Sequence, residues 1–371
     1  MAQGSALEVM VSETFWRERR VFLTGHTGFK GSWLAMWLTQ MGAEVTGFSL
    51  PADDVSLFRQ ARLQDRLIHV EGDIRDMAAV EDALARARPE ILFHLAAQPL
   101  VRRSYDHPIE TFATNVQGTA HVLDACRRAV DLKAIVCVTS DKCYENREWI
   151  WPYRESDPMG GYDPYSASKG AAELVIAAYR RSFFGQRPLL ASVRAGNVIG
   201  GGDWAADRLI PDIIRALIKD KAPFIRSPAS IRPWQHVLEA LGGYLMIAQR
   251  LASGDTWAAT GWNFGPADDD TQPVNWIADH MCAAWGGPAW YSEEQIQPHE
   301  AKILKLDCSK ARVELGWRPA LRLRDALDYI VAWHHAVAEG SDAAQISFAQ
   351  LDAYRKQLGR ALSGENYVND C

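Results

Sequence analysis

Residues 24–31 read TGHTGFKG. The stretch follows an apolar run, Val21-Phe22-Leu23. It opens a segment, 29–41, in which Leu34, Trp37, Leu38 and Met41 fall on one helical face. Its glycines, Gly25, Gly28 and Gly31, are spaced GxxGxxG. In a strand–turn–helix setting Gly25 permits the tight turn, Gly28 lets a pyrophosphate approach the backbone, and Gly31 lets helix and sheet pack closely. The helix N-terminus offers free N–H groups and partial positive charge to phosphate. The stretch reads as a dinucleotide cradle; a purely structural turn is the alternative.

An acid after the second strand ordinarily binds the adenosine ribose. Here that strand, 44–48, runs into Ser49-Leu50, and the nearest acids, Asp53 and Asp54, come slightly late. No arginine stands at the strand end to hold a 2′-phosphate; Arg59 and Arg62 lie further on. The pattern favours NAD over NADP. Asp73, in Gly72-Asp73-Ile74 after the third strand, is placed for the adenine amine or for a solvated turn.

Outward from the cradle, β-branched runs at 21–23, 44–48, 67–70, 91–95, 134–138 and 190–194 alternate with helical segments at 29–41, 78–87, 109–129 and from Pro164 through Arg180. Strand–helix alternation with short links predicts an α/β fold, a doubly wound parallel Rossmann-type sheet. Regularity fades after Gly196 into a smaller C-terminal substrate-binding lobe rich in Trp, Pro and Gly. The expected organisation is a leader over 1–18 and a nucleotide-binding domain over 19–196 with returning segments at about 235–262. The substrate-binding lobe then covers 197–234 and 263–340, and a tail without an assignable role covers 341–371.

Net charge is −6 with no block of like charge, which argues against nucleic acid as a partner. No apolar run approaches a membrane span, and the N-terminus lacks a basic start followed by an apolar stretch. The six cysteines form no CxxC and no zinc-site spacing, so the expectation is free thiols in a reducing cytoplasm and no metal.

Two further stretches carry chemistry. TSDKCYEN, 139–146, follows the buried run 134–138 and puts Ser140, Asp141 and Lys142 at the mouth of a strand. Cys143 beside them reads as a small hydrophobe. YSASK spaces Tyr165 and Lys169 by four residues, on one helical face. A nearby ammonium stabilises phenolate, so such a tyrosine can act as a base. Asn115, in the helix after the fourth strand, reads as a structural amide.

TGHTGFKG, HLAAQ (94–98), YSASK and the Arg194-Ala195-Gly196-Asn197 turn together resemble the extended short-chain dehydrogenase/reductase family, from about residue 19 to about 335. Within it, TSDKCYENREW, GGYDPYSASKGAAEL, VRAGNVIGGGDW, IRPWQHV and LKLDCSK resemble the branch of 4,6-dehydratases whose nucleotide is cytidine. The resemblance implies redox-neutral dehydration of CDP-glucose for deoxysugar and surface-polysaccharide synthesis, such as the lipopolysaccharide O-antigen, with tightly held NAD. It implies Tyr165 as oxidation base with Lys169 as its electrostatic partner, Asp141 as acid for the leaving hydroxyl, and Ser140 orienting the 4-hydroxyl. It places NAD against Gly25, Thr27, Gly28, Phe29, Gly31, Asp73, Ile74, Leu95, Ala96, Ala97, Tyr165 and Lys169. It places the substrate against Gln98, Asn197, Arg208, Arg232 and His299; a guanidinium such as that of Arg232 suits bidentate phosphate contact. Trp204 and Trp234 stack on the base or simply pack. Family members commonly pair through the long helix and the YxxxK helix, which implies a homodimer or homotetramer.

Related dehydratases read Thr-Asp-Glu where this chain reads Ser140-Asp141-Lys142, with the glutamate as carbon 5 base. A lysine base must first lose its proton; burial, Lys169 and the nicotinamide cation favour that loss, and Asp141 opposes it. The other role for Lys142 is to anchor Asp141 or a substrate oxygen. The rival functions are a nucleotide-sugar epimerase or decarboxylase, which shares the cradle and YxxxK, a dehydratase for another nucleotide, and a non-enzymatic NAD-bound sensor.

Overall fold

Strands that are apolar on both faces need helices on each side of the sheet. The computed structural model, which describes residues 11–293 and 304–363, supplies them. The strands are β1 (Arg20–Thr24), β2 (Glu44–Ser49), β3 (Ile68–Glu71), β4 (Ile91–His94), β5 (Ala134–Val138), β6 (Leu189–Ala195), β7 (Asn197–Ile199), β8 (Trp234–His236) and β9 (Gly261–Phe264). The principal helices are α1 (Phe29–Gln40), α2 (Met77–Ala87), α3 (Val101–Asp106), α4 (Pro108–Phe112), α5 (Gly118–Cys126), α6 (Pro164–Ser182), α7 (Leu209–Ile218), α8 (Val237–Ser253), α9 (Val274–Trp285), α10 (Leu323–Ala338) and α11 (Ala343–Ser363).

The main sheet is seven-stranded and parallel, in the order β3-β2-β1-β4-β5-β6-β9. β1 and β4 are neighbours in space although β2 and β3 intervene in sequence. The chain winds away from that pair in both directions and leaves a crevice beyond their carboxyl ends. One face of the sheet is covered by α1 and α8, the other by α2, α5 and α6. A third core, built on Ile213, Ile214, Ile277, Met281, Leu327 and Ile330, binds α7, α9 and α10 into the lobe.

The six strands anticipated from β-branched runs are present. β9 was not anticipated, because Gly261-Trp262-Asn263-Phe264 contains no β-branched residue and a buried asparagine. The ribbon of β7 and β8, with Asn197 opposite Trp234, is three residues wide and too short to show a period. The expected long helix over 109–129 is present as a continuous run from Pro108 to Cys126, α4, a π-turn at Ala113–Gln117 and α5, with α3 as a separate helix ahead of it. Pro108 at the first position of α4 separates the two segments.

α1 is buried all round, from Gly31 through Leu38, rather than on one face. A helix of that kind needs a cover on its outer side as well. The cover is α11, from the segment that the sequence left without a place. Leu351, Tyr354 and Leu358 are fully buried, and the Tyr354 ring stands edge-on to Trp37 at 5.7 Å. Burying each such side chain contributes about 1.5–3 kcal/mol. The chain start joins in: Trp16, from the short turn Glu13–Trp16, is buried 6.1 Å from Phe93.

α11 is fastened by a buried carboxylate. Glu239 of α8 accepts from Ala320 N (2.9 Å), Leu321 N (2.6 Å) and the Tyr354 hydroxyl (3.0 Å). Burial outweighs these donors and pushes its carboxyl up to about 7 from the usual 4.5. Between those values the native protein holds a proton that the unfolded chain has lost, so this contribution to stability is full below about pH 4.5 and fades as pH rises through about 7. Denaturant unfolding across that window should show stability declining by as much as roughly 3 kcal/mol from this group. Glu239→Gln should flatten the decline; an unchanged slope in the variant would show that the proton sits elsewhere.

Candidate active site

The cradle lies at the crevice. Gly25 has φ +76°, and a Cβ there would stand 2.7 Å from Ala96 N. A Cβ on Gly31 would stand 2.1 Å from Gly25 O. Only hydrogen at both positions lets the turn after β1, the turn after β4 and the first turn of α1 meet. Gly28 caps α1 and is exposed on the open side. The floor is pinned by Thr24, whose hydroxyl accepts from Leu95 N (3.1 Å) and Ala96 N (3.2 Å) and bonds His94 Nδ1 at 2.8 Å. His94 reaches Thr119 with its other nitrogen, and burial, aided by the Lys169 charge, pushes it down to about 3, so it is neutral. Thr27 ties the cradle to the end of β2 through Ser49 (2.7 Å) and Leu50 O (3.1 Å). Phe29 packs beneath Gly200, and Ile74 is buried against Gly118.

These residues fit a dinucleotide. Arg59 is turned onto the carbonyls of Ala52 and Asp53, and Arg62 pairs with Asp342 at 2.6 Å. Asp53 and Asp54 are exposed in the loop after β2. Both Asp73 carboxylate oxygens are engaged by Arg75, which holds the carboxyl below its usual range.

The catalytic candidates converge beyond β4, β5 and β6. β5 ends in a 3₁₀ turn, Asp141–Cys143, capped by Ser140, whose hydroxyl accepts from Lys142 N (3.2 Å) and donates to Asp141 Oδ1 (2.9 Å). Asp141 is buried and Lys142 half-buried. Burial pushes the Asp141 carboxyl up, against the pull of Lys142, Ser140, Lys30 and Arg232. Burial also keeps the Cys143 thiol far above its ordinary range and inert.

α6 starts at Asp163, which accepts from Ser166 N at 2.9 Å, with Pro164 next. Tyr165 N donates to Ser104 Oγ (3.1 Å). The Lys169 ammonium lies 6.0 Å from the Tyr165 ring centre. Burial pushes the phenol up to about 12 while the Ser140 hydroxyl pulls it down; burial pushes Lys169 down to about 8. Desolvation therefore outweighs the Ser140 hydroxyl and Arg208, and the phenol is neutral. Asn115, in the π-turn, holds the backbone of Gln98 from both sides and donates to Ser168 Oγ (2.8 Å). π-Turns recur at functional sites.

The lobe closes the other side. A Cβ on Gly196 would lie 2.6 Å from Pro233 and 3.2 Å from Asp141 Oδ2, so Asn197, the Arg232-Pro233-Trp234 segment and the acid share one corner. Arg232 is close enough to draw on the Asp141 charge. Arg208 pairs with buried Asp203 at 3.0 Å and influences Lys30 and Tyr165. The side-chain amide of Gln98 is engaged within its own surroundings, by Leu100 and Thr111. Trp234 is buried in the lobe core and Trp204 is half-buried against it, its ring edge-on to His334. His299 lies outside the described residues.

Sequence reasoning passed over Lys30. Burial, then repulsion from Arg208 and Lys169, pushes its ammonium down to about 8, which places it in the same cleft. The available signal was a charged side chain between the second and third glycines, where the helix start faces the crevice. It also assigned no role to Glu173 and Arg194, buried beneath the Ser140–Cys143 turn; an arginine inside the apolar run Leu189–Ala195 was the cue.

The chain matches the family model for GDP-mannose 4,6 dehydratase over residues 22–329. It is 54% identical to the CDP-glucose 4,6-dehydratase of Salmonella typhimurium (strain LT2), over 95% of this chain and 100% of the relative. It is 34% identical to the UDP-glucose 4-epimerase of Mycolicibacterium smegmatis, over 83% of this chain and 96% of the relative. Among solved structures it resembles DesIV, the dTDP-glucose 4,6-dehydratase of Streptomyces venezuelae with NAD and TYD bound. The TM-score is 0.74 at 25% identity, covering 88% of this chain and 99% of that one.

Gly31→Ala should force α1 off the turn after β1 and lower stability by about 1–3 kcal/mol. Calorimetric titration with NAD should show weaker binding in the same variant. Wild-type stability and affinity together would show that the close approach is dispensable.

Proposed function

The chain belongs to the GDP-mannose 4,6 dehydratase family, and on that premise we propose that it dehydrates CDP-D-glucose to CDP-4-keto-6-deoxy-D-glucose, as a hydro-lyase with tightly bound NAD. The observation that carries this reading is Asp141. Burial raises its carboxyl at the mouth of β5, beside Lys142 and across from Tyr165 and Lys169, so one cleft holds both an oxidation pair and an elimination pair. The 54% identity to a CDP-glucose 4,6-dehydratase supports the substrate.

The cradle glycines, Thr27, Phe29, Ile74, Asp73 and the Leu95–Ala97 turn would hold NAD, which would supply hydride chemistry between sugar carbons 4 and 6. Tyr165 takes the 4-hydroxyl proton, oriented by Ser140. Lys169 places positive charge 6.0 Å from the ring centre, and a bound nicotinamide cation would add to it. The new ketone acidifies carbon 5. Lys142 takes the carbon 5 proton as Asp141 gives its proton to the departing carbon 6 hydroxyl, which leaves as water. Burial raises the carboxyl, which favours the protonated form that this step uses. Asn197, Arg208 and Arg232 serve the diphosphate.

A homodimer or homotetramer is supported by apolar side chains left exposed on the outer faces of α4 and α6, namely Ile109, Phe112 and Leu174. Sedimentation at twice or four times the chain mass would test it. The described cysteines are free thiols, and among the described residues no helix is long and apolar enough to cross a membrane. Both support a cytoplasmic setting, which cell fractionation would check.

The 34% identity to an epimerase keeps epimerisation as the second reading. Product analysis separates them. Incubation with CDP-, UDP-, GDP- and dTDP-glucose should yield the alkaline absorbance of a 4-keto-6-deoxy sugar from CDP-glucose. An isomeric hexose with every oxygen retained, or turnover of another nucleotide instead, would overturn the assignment. Lys142→Met should abolish solvent deuterium incorporation at carbon 5 while carbon 4 oxidation persists. Incorporation at the wild-type rate would remove Lys142 as the base.

A further inference from the structure

Glu173 lies one helical turn beyond Lys169 on α6 and is fully buried, yet the reaction makes no use of it. Its carboxylate is saturated by four donors. Oε1 accepts from Thr139 Oγ1 (2.5 Å) and Arg194 Nε (2.9 Å). Oε2 accepts from Ser192 Oγ (2.8 Å) and from the second terminal nitrogen of Arg194 (2.8 Å). Burial alone would push the carboxyl up; Arg194, Thr139 and Ser192 more than reverse this and hold it below its usual range.

The pair does not end there. The remaining nitrogen of Arg194 donates to the Tyr144 hydroxyl at 2.6 Å, and Tyr144 donates to Asn263 Oδ1 of β9 at 2.7 Å. Asn263 in turn donates to the carbonyls of Tyr153 and Asp307. Thr139 immediately precedes Ser140, and Tyr144 immediately follows Cys143. The network therefore grips the Ser140–Cys143 turn at both its entrance and its exit. A third grip is steric: a Cβ on Gly170, next to Lys169, would lie 2.5 Å from Gly160 O and 3.1 Å from Cys143 O. The turn thus seats directly on α6.

We infer that Glu173, acting through Arg194, Thr139 and Tyr144, is a positioning residue that sets the elimination pair Asp141–Lys142 against the oxidation pair Tyr165–Lys169. The inference rests on the dehydratase reading. The two pairs arise from different elements, β5 and α6, and proton transfer requires them in register within a fraction of an ångström. The oxidation pair has anchors of its own in Asp163, Ser104 and the Asn115–Ser168 bond. The Asp141–Lys142 turn depends on the network at both ends. Loosening the network should therefore slow elimination more than oxidation.

Removing Glu173 or Arg194 strands the other as a buried unpaired charge, so the test uses the ends of the network. Thr139→Val deletes one donor without changing charge, Thr139→Ser restores it, and Tyr144→Phe opens the other end. With CDP-glucose, Thr139→Val and Tyr144→Phe should each lower kcat about tenfold or more. KM should be little changed and NAD affinity intact. The steady-state fraction of reduced nicotinamide, read by absorbance, should rise because oxidation outruns elimination. Thr139→Ser should recover both readouts. If Tyr144→Phe does not fold, Thr139→Val decides alone. Wild-type kcat in Thr139→Val, or a lower kcat with an unchanged reduced fraction, overturns the inference. Wild-type enzyme that makes no 4-keto-6-deoxy sugar is a separate result, which removes the dehydratase reading and this inference with it.

Discussion

Gly31 must touch Gly25. A side chain on Gly31 would begin 2.1 Å from the Gly25 carbonyl, and one on Gly25 would begin 2.7 Å from Ala96 N. This contact sets the distance and aim of α1 relative to the point where the sheet parts, and much else follows. It turns the first N–H groups of α1 and the Lys30 side chain toward the crevice, sets Phe29 beneath Gly200, and buries Trp33 deeply enough to donate to Gly201 O at 2.9 Å. The lobe segment that covers the cleft is thereby fastened to the same helix that starts the cradle.

The cleft that results is crowded with cations. Lys30, Lys142, Lys169, Arg208 and Arg232 face Asp141 and Asp203, and both Lys30 and Lys169 are pushed down to about 8. Phosphate charge entering such a cleft opposes the burial that lowers both lysines, and the repulsion from Arg208 and Lys169 that adds to it at Lys30. Asp141 is buried, takes a bond from Ser140, and has its carboxyl raised by burial. Glu173 is the contrasting case. Four donors keep it ionised, so it holds position instead of exchanging protons.

What could be read in the chain follows from how local each signal is. Glycine spacing, β-branched runs and the i, i+4 relation of Tyr165 and Lys169 lie within one element, and the fold confirms their placement. The acid–lysine turn after β5 was legible because it abuts an apolar run. β9 was not, since Trp262, Asn263 and Phe264 carry no strand signature and are held by partners from distant segments. α11 was illegible for a similar reason. Its buried positions, Leu351, Tyr354 and Leu358, make sense only beside the outer face of α1. Arg194 reads as an anomaly until Glu173, twenty-one positions earlier, is brought beneath it by the crossover from α6 to β6.

The position of α11 sets an order of events during synthesis. α1 is complete at Gln40, but its cover begins at Ala343, about 300 residues later. At the ~5–20 residues per second of translation, Trp37 waits on the order of 15–60 seconds for its partner. Until α11 emerges, a nascent chain of this protein therefore carries its cradle helix half-clothed.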